Sequence, residues 1–190
     1  NQGRSHALTE ANSERTSPMT DLHKTRHEPI NQLFDILDDT HAVMTGLDKT
    51  GHSMQPMAPQ VDEDRRGIWF YAKRDSDMGS AIANQPASRA RICLISVDHD
   101  YHACISGTMS EESDRSLIDK FWSAPVAAWF EHGKDDPNLI LLRFDASEAD
   151  IWASSGSAIR FAWEIAKVGH LIGHVGLGDF PGKADGAARR

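Results

Sequence analysis

The chain has 190 residues, 39% of them hydrophobic, and a formal net charge of −8. That length suits one domain with a single core, and the acidic balance argues against nucleic-acid or anionic-membrane partners, whose phosphates it would repel. No apolar run approaches the roughly 18–20 residues of a membrane-spanning helix. The opening residues also lack the apolar stretch of a secretory signal, so a cytoplasmic protein is expected.

Residues 1–18 are polar and show no apolar period, which reads as a disordered leader with Met19 as a more natural start. From Glu28 the spacing becomes helical, with Ile30, Leu33, Phe34 and Leu37 on one face until Asp38-Asp39. Strands are predicted at His41–Leu47, His52–Gln60 and Gly67–Ala72, the first two joined by a turn over Asp48–Gly51. Pro56 and Pro59 demand an irregular or edge path for the second strand. A short helix follows at Met78–Asn84, and then a hairpin of Arg91–Val97 and His102–Ser110 around Asp98–Asp100.

Ser110 is the predicted N-cap of the next helix, with Glu111 and Glu112 in its first turn and Leu117, Ile118, Phe121 and Trp122 facing inward. A second short helix starts at Ser123–Pro125 and ends at Gly133, followed by a turn over Lys134–Pro137. Leu139–Phe144 and Glu148–Trp152 read as two strands, Ile159–Val168 as a helix, and the glycine-rich remainder as mobile. Several short strands with a few helices between them suggest a small barrel with helical insertions. Cys93 and Cys104, the two cysteines, fall on successive strands; a cross-strand disulfide is open to them, but reduced thiols are expected in an intracellular chain.

The block from His41 to Met78 carries the most functional information. Strands joined by tight turns end in a polar corner, Lys73–Met78, that opens a helix. Strand-end amides and a helix N-terminus both aim donors into such a corner, which suits an anion.

These segments resemble the FMN-binding split barrels related to pyridoxamine 5'-phosphate oxidase, and within them the bacterial general stress protein branch. Gln55-Pro56-Met57 is similar to that branch's Arg-Pro-Met, and Ile68–Ser76 to its third strand and phosphate loop. Ile105–Thr108 matches its barrel hairpin. Trp129-Phe130, Gly133–Pro137 and Leu139–Arg143 form the most branch-specific stretch, and Asp150–Trp152 resembles the strand after it. The likeness spans residues 28–168, dividing the chain into a leader (1–27), a split-barrel flavin-binding domain (28–168) and a flexible tail (169–190).

The resemblance implies a mainly β protein with peripheral helices, a six-stranded split β-barrel that dimerises with itself and holds FMN in grooves at the subunit interface. FAD is the alternative flavin. It places Ser53, Met54, Gln55, Pro56, Met57 and Ala58 along the flavin, Tyr71 and Ala72 at the end of the third strand, and His102 where the oxidase has a flavin-contacting glutamine. The phosphate loop departs from the family. Met78 replaces its closing lysine, Asp77 stands beside it, and Gln55 occupies a usual arginine position. Each lost charge-assisted bond weakens binding about ten- to a hundredfold. Lys73, Arg74 and Ser76 remain to hold a phosphate.

Other constellations favour ordinary explanations. His170 and His174, and likewise His23 and His27, have helical spacing but no third ligand nearby, so no metal is expected. Gly178–Lys183 has the wrong spacing for a phosphate loop and lacks its Ser or Thr. Trp122, Trp129, Trp152 and Trp163 read as core or dimer-interface residues, with Trp129 or Trp152 in reach of a partner's flavin. No nucleophile–base triad is visible, as expected where a flavin carries the redox chemistry. The chain thus reads as a low-specificity flavin-dependent oxidoreductase or flavin reductase. The alternative is a degenerate barrel that binds flavin weakly or not at all and acts through its dimer surface.

Overall fold

The computed structural model describes residues 20–48, 51, 53–62, 67–83, 85, 87–154 and the backbone of 172–176. Two helices open it, α1 (Leu22–His27) and α2 (Pro29–Asp38). Asp21 starts α1 by accepting from the amides of His23 and Lys24, at 2.8 and 3.2 Å. Leu22–His27 therefore forms structure within the span read as a disordered leader. Proline at the first position of α2 sits where its missing N–H costs nothing, and Leu33, Phe34 and Leu37 are buried as their spacing predicts.

The strands are β1 (Val43–Leu47), β2 (Gln55–Met57), β3 (Gln60–Asp62), β4 (Gly67–Lys73), β5 (Ser88–Ile95), β6 (Tyr101–Glu111), β7 (Leu139–Ala153) and β8 (Ile172–Gly176). Helix α3 (Asp77–Ala83) follows β4, and α4 (Arg115–Phe121) and α5 (Ala124–Ala127) lie between β6 and β7. The strands pair antiparallel in the order β2-β1-β5-β6-β7-β4-β3, with β8 on the second half of β7. The two ends of that order, β2 and β3, are separated in sequence only by Ala58 and Pro59. One bent strand thus pairs with β1 through its first half and with β4 through its second, which forces the sheet to curl on itself. Counting that bent strand once gives the six strands of the expected split barrel; β8 is additional.

The concave side holds the main core, in which Val43, Phe70, Ile92, Leu94, Ile105, Leu142 and Ile151 are covered by α2 and by Met78 and Ile82 of α3. A second, smaller core lies on the other face of β4 and β7, where Trp69, Leu139 and Leu141 meet Leu117 and Ile118 of α4, together with Phe130.

Several sequence expectations change. Ser110 is not an N-cap. It sits inside β6, paired with Arg143, and the cap of α4 is Asp114, whose Oδ1 accepts from the Ser116 amide at 3.0 Å. The second strand splits at Ala58-Pro59, because Pro59 has no amide to continue a ladder. The two strands predicted at 139–152 are one, and a register shift opposite them at Ser106/Gly107 absorbs the polar Asp145–Ser147 stretch. A Cβ on Gly107 would lie 2.3 Å from the Asp145 carbonyl oxygen, so the close approach there requires glycine. The second short helix stops at Ala127 rather than Gly133, which instead opens a turn of 3-10 helix. Ile172–Gly176 is a strand within the span read as a flexible tail. The helix predicted at 159–168 lies outside the described residues.

The β5–β6 turn is tied down by Asp100, which is buried and accepts from the Thr20 amide and the Ser96 hydroxyl, both at 2.9 Å. Burial pushes its carboxyl up, but the hydrogen bonds from Thr20 and Ser96 outweigh it and hold the group below the 3.8 of a free aspartate. A carboxyl depressed in the folded state stabilises fully above its unfolded value, and the contribution fades as pH falls towards the folded one. Asp100→Asn is therefore expected to flatten the acid limb of the stability curve below about pH 4. Urea midpoints measured from pH 2 to 7 check this, and an unchanged acid limb would remove Asp100 from the account.

Candidate functional site

The edge where the bent strand meets β4 opens into a groove of about 380 Å³. One wall is Gln55, Pro56, Met57, Ala58 and Gln60 from the bent strand. The floor is Tyr71, Ala72 and Lys73 with the turn residues Asp75 and Ser76, and the outer wall is Pro125, Val126, Trp129 and Phe130 around α5. Its size and mostly apolar lining, with a few polar groups, match the general character of small-molecule sites.

Strand β4 builds the floor because Phe70 and Ala72 turn into the main core while Tyr71 faces the second one. Tyr71 stacks among Trp122 and Phe130, with ring centroids 6.0 and 6.3 Å away. Its hydroxyl donates to the Ile118 carbonyl at 2.7 Å, and burial, helped by Asp119, pushes its pKa up to about 12. Tyr71 thus gives the groove an aromatic surface and is not an acid or base near neutral pH. Trp129 is 72% exposed and forms the outer lip, although its sequence context reads as core or interface.

The polar corner is built differently from the anion cradle expected of it. The amide of Arg74 donates to the Asn138 carbonyl at 2.8 Å, that of Asp75 to Asn138 Oδ1 at 3.1 Å, and that of Ser76 to the Lys73 carbonyl at 3.1 Å. The Ser76 hydroxyl donates to the Lys73 carbonyl at 2.6 Å and accepts from the Gly79 amide at 3.1 Å, capping α3. These donors hold the turn together, and Arg74 is engaged as well. It makes a two-pronged bond to Glu111, at 2.7 and 3.1 Å, which raises its pKa further. The side-chain cation left for an anion is Lys73, which lines the groove and makes no ion pair among the described residues. The carboxylate beside it is Asp75; Asp77 is exposed and does not line the groove.

Of the residues singled out by resemblance, Gln55, Pro56, Met57, Ala58, Tyr71, Ala72, Lys73 and Ser76 converge on the groove. The other five do not line it. Ser53 is exposed, and Met54 packs on Gly46 of β1, where a Cβ would meet its Cγ at 2.9 Å. Arg74 is held by Glu111. Met78, 4% exposed, belongs to the main core, so its apolar side chain serves packing where the resemblance led one to expect a lysine. His102 lies on β6 with its ring nitrogen 3.2 Å from the His99 carbonyl oxygen. Gln60, Asp75, Pro125, Val126 and Phe130 join the groove without having been assigned to it, and Trp129, expected within reach of a partner's flavin, lines the groove of its own chain. Their local sequence carries no sign of this, because the contact between α5 and β4 spans some fifty residues of chain.

The groove contains no nucleophile paired with a base. It offers a flat aromatic and aliphatic cleft with one cation at its end. Such a site binds and orients a planar molecule and leaves the electron chemistry to that molecule. Among the described residues no group of three or more His, Cys, Asp or Glu side chains is placed to hold a metal ion. His23 and His27 stack on each other in α1, their centroids 4.3 Å apart. The backbone at His174 is strand, so its spacing from His170 does not define a helical face. Gly178–Lys183 lies outside the described residues. No described helix is long and apolar enough to cross a membrane.

No curated protein matches the chain. Solved structures do. A putative general stress protein 26 from Jannaschia sp. CCS1 is 30% identical, with a TM-score of 0.65 over 77% of this chain and 96% of that one. A putative general stress family protein from Xanthomonas campestris pv. campestris is 35% identical, with a TM-score of 0.62 over 73% and 93%. The general stress FMN/FAD binding protein from Xanthomonas citri is 36% identical, with a TM-score of 0.61 over 67% and 89%. The model of the family described as pyridoxamine 5'-phosphate oxidase like matches residues 28–170, the stretch that runs from α2 to beyond β7 and contains the groove. With its curled sheet, its order of strands and this match in agreement, the chain belongs to that family.

Proposed function

We propose that the groove between the bent strand and β4 binds a flavin, FMN in preference to FAD, and that the protein is a low-specificity flavin-dependent oxidoreductase or flavin reductase. The observation that carries this reading is the convergence of Gln55–Ala58 with Tyr71–Lys73 under the exposed ring of Trp129. The Xanthomonas citri relative described above is named for binding FMN or FAD. The aromatic and aliphatic walls fit a tricyclic ring, and Lys73 is the group that would meet the phosphate. Bound there, the flavin would supply two-electron transfer through its ring. The chain's own part is to clamp the ring between Met57, Tyr71 and Trp129, keep water from that face, and neutralise one end with Lys73.

The active unit is proposed to be a cytoplasmic homodimer. Met44, Ile95, Val97 and Trp152 leave large apolar surface exposed on the barrel, more than an isolated monomer favours. A second reading, a barrel with little flavin affinity that acts through its dimer surface, is favoured by the engagement of the turn amides and of Arg74. Flavin titration of the full chain separates the two. Saturable quenching of tryptophan fluorescence at micromolar FMN is expected, together with release of free FMN on denaturation. A colourless protein that binds no added FMN would establish the second reading.

A further inference from the structure

We propose that Lys120 and Asp62 are positioning residues for the groove, and that through them helix α4 sets its width. The proposal rests on the flavin reading for the identity of the ligand, but not for the geometry. Asp62 ends the bent strand, two residues beyond Gln60 of the groove wall. Only 3% of its side chain is exposed, and Lys120 Nζ reaches its carboxylate at 2.6 Å. Lys120 lies in the last turn of α4, with its side chain 48% exposed and its ammonium 5.6 Å from the centre of the Phe121 ring. A charge-assisted bond to an acceptor so shielded from water is among the stronger that side chains make. The ladder from β3 to β4 is three register pairs long, so one such tie is a sizeable part of the anchorage of this wall.

The same helix holds the other two sides of the groove. The Tyr71 hydroxyl, on the floor, donates to the carbonyl of Ile118 at 2.7 Å. Phe121 ends α4, and Trp122 and Ser123 alone separate it from α5, so Pro125 and Val126 of the outer wall follow the end of the helix. Helix α4 is seated in turn by Leu117 and Ile118 in the second core and by Phe121 against Trp69, with ring centroids 5.4 Å apart.

Inner wall, floor and outer wall are thus fastened within four consecutive residues, Ile118 to Phe121. Close-packed elements move as units, so a displacement of the helix is felt on all three sides together. A flat ring is gripped only while the walls stand one ring thickness apart. Lys120 is the bond that crosses from α4 to the bent strand, and without it the inner wall is free to draw away from the other two.

Lys120→Met removes that bond and keeps an apolar stem to pack along the helix. Hydrogen exchange of the full chain, read on peptides, compares residues 55–62 with the β5–β6 hairpin, and FMN and riboflavin are titrated alongside. Exchange over 55–62 is expected to quicken about tenfold while the hairpin stays as it was. Affinity should fall about fivefold for FMN and for riboflavin alike, because the two share the ring that the walls grip. Lys120→Arg keeps a cation within reach and should restore both readouts, whereas Asp62→Asn should reproduce the loss from the other end. Exchange that quickens equally in the hairpin would reduce the pair to a general stabiliser and overturn the proposal. So would a loosened strand with unchanged affinity for both ligands. Should the parent chain bind neither ligand, the flavin reading falls and exchange alone decides the role of the pair, an unchanged rate at 55–62 overturning it.

Discussion

Gly79→Ala is expected to lower stability by about 2 kcal/mol, although alanine is the better helix former. At an open helix position this exchange would gain about 1 kcal/mol. Here the added Cβ would stand 2.3 Å from the Lys73 carbonyl oxygen, 2.9 Å from that of Arg74 and 3.0 Å from the Arg74 Cα. All three are backbone atoms at the end of β4, fixed by their bonds to Asn138 and Ser76, and no side chain can swing away to make room. Helix α3 must shift or tilt, taking Met78 and Ile82 out of the main core; such overpacking costs about 1–3 kcal/mol and at times more. The corner should suffer with it, since Lys73 and Ser76 flank the same contact. Urea denaturation gives the stability, and a midpoint at or above that of the parent chain would show that α3 can move freely.

Lys73→Met should weaken FMN binding about ten- to a hundredfold, equivalent to roughly 1.5–3 kcal/mol for one charge-assisted contact, and leave riboflavin binding nearly unchanged. The two ligands share the ring and differ in the phosphate, so their ratio isolates the corner from the walls. Arg74 cannot replace the lysine without leaving Glu111, the amides of Arg74 and Asp75 are already bonded to Asn138, and that of Gly79 is bonded to Ser76. The same reasoning makes the parent chain less selective for FMN over riboflavin than a barrel with a fully basic corner. Isothermal titration of both ligands on both proteins checks the point. Equal losses for FMN and riboflavin would mean that Lys73 supports the wall rather than the phosphate.

The parts of this fold that are legible in the sequence are those where local pattern and tertiary demand coincide. In α2 the apolar period marks the face that is buried. In β4 an unbroken apolar run matches a strand covered on both sides, by the main core and by α4. Ser110 shows the opposite case. Its hydroxyl and the following glutamates favour a helix start, yet pairing of Ser110 with Arg143 and Glu111 with Leu142 keeps β6 extended, and the capping role moves to Asp114. The polar interval at Asp145–Ser147 likewise looks like a break between strands. It is carried through because Gly107 lets the opposing backbone approach.

The site was half legible for a related reason. Positions on β2 and β4 follow from strand spacing, so the floor and inner wall fall where expected. The outer lip comes from α5, far along the chain, and no local pattern tells Trp129 from a core tryptophan. The corner misled in a subtler way. Its residue types suit an anion, but whether an amide is free depends on what lies opposite, and Asn138 is sixty-odd residues away.

The bent strand of residues 55–62 joins the two margins of the sheet through three register pairs on each side. Every other neighbour in the barrel is held by more, so this is the place where the barrel opens at least cost. The same residues form the inner wall of the groove, and a molecule seated there touches both the bent strand and β4. Ligand and closure are thereby one thermodynamic matter: whatever fills the groove acts as a clasp on the fold, and the empty protein should breathe along that line before it unfolds anywhere else.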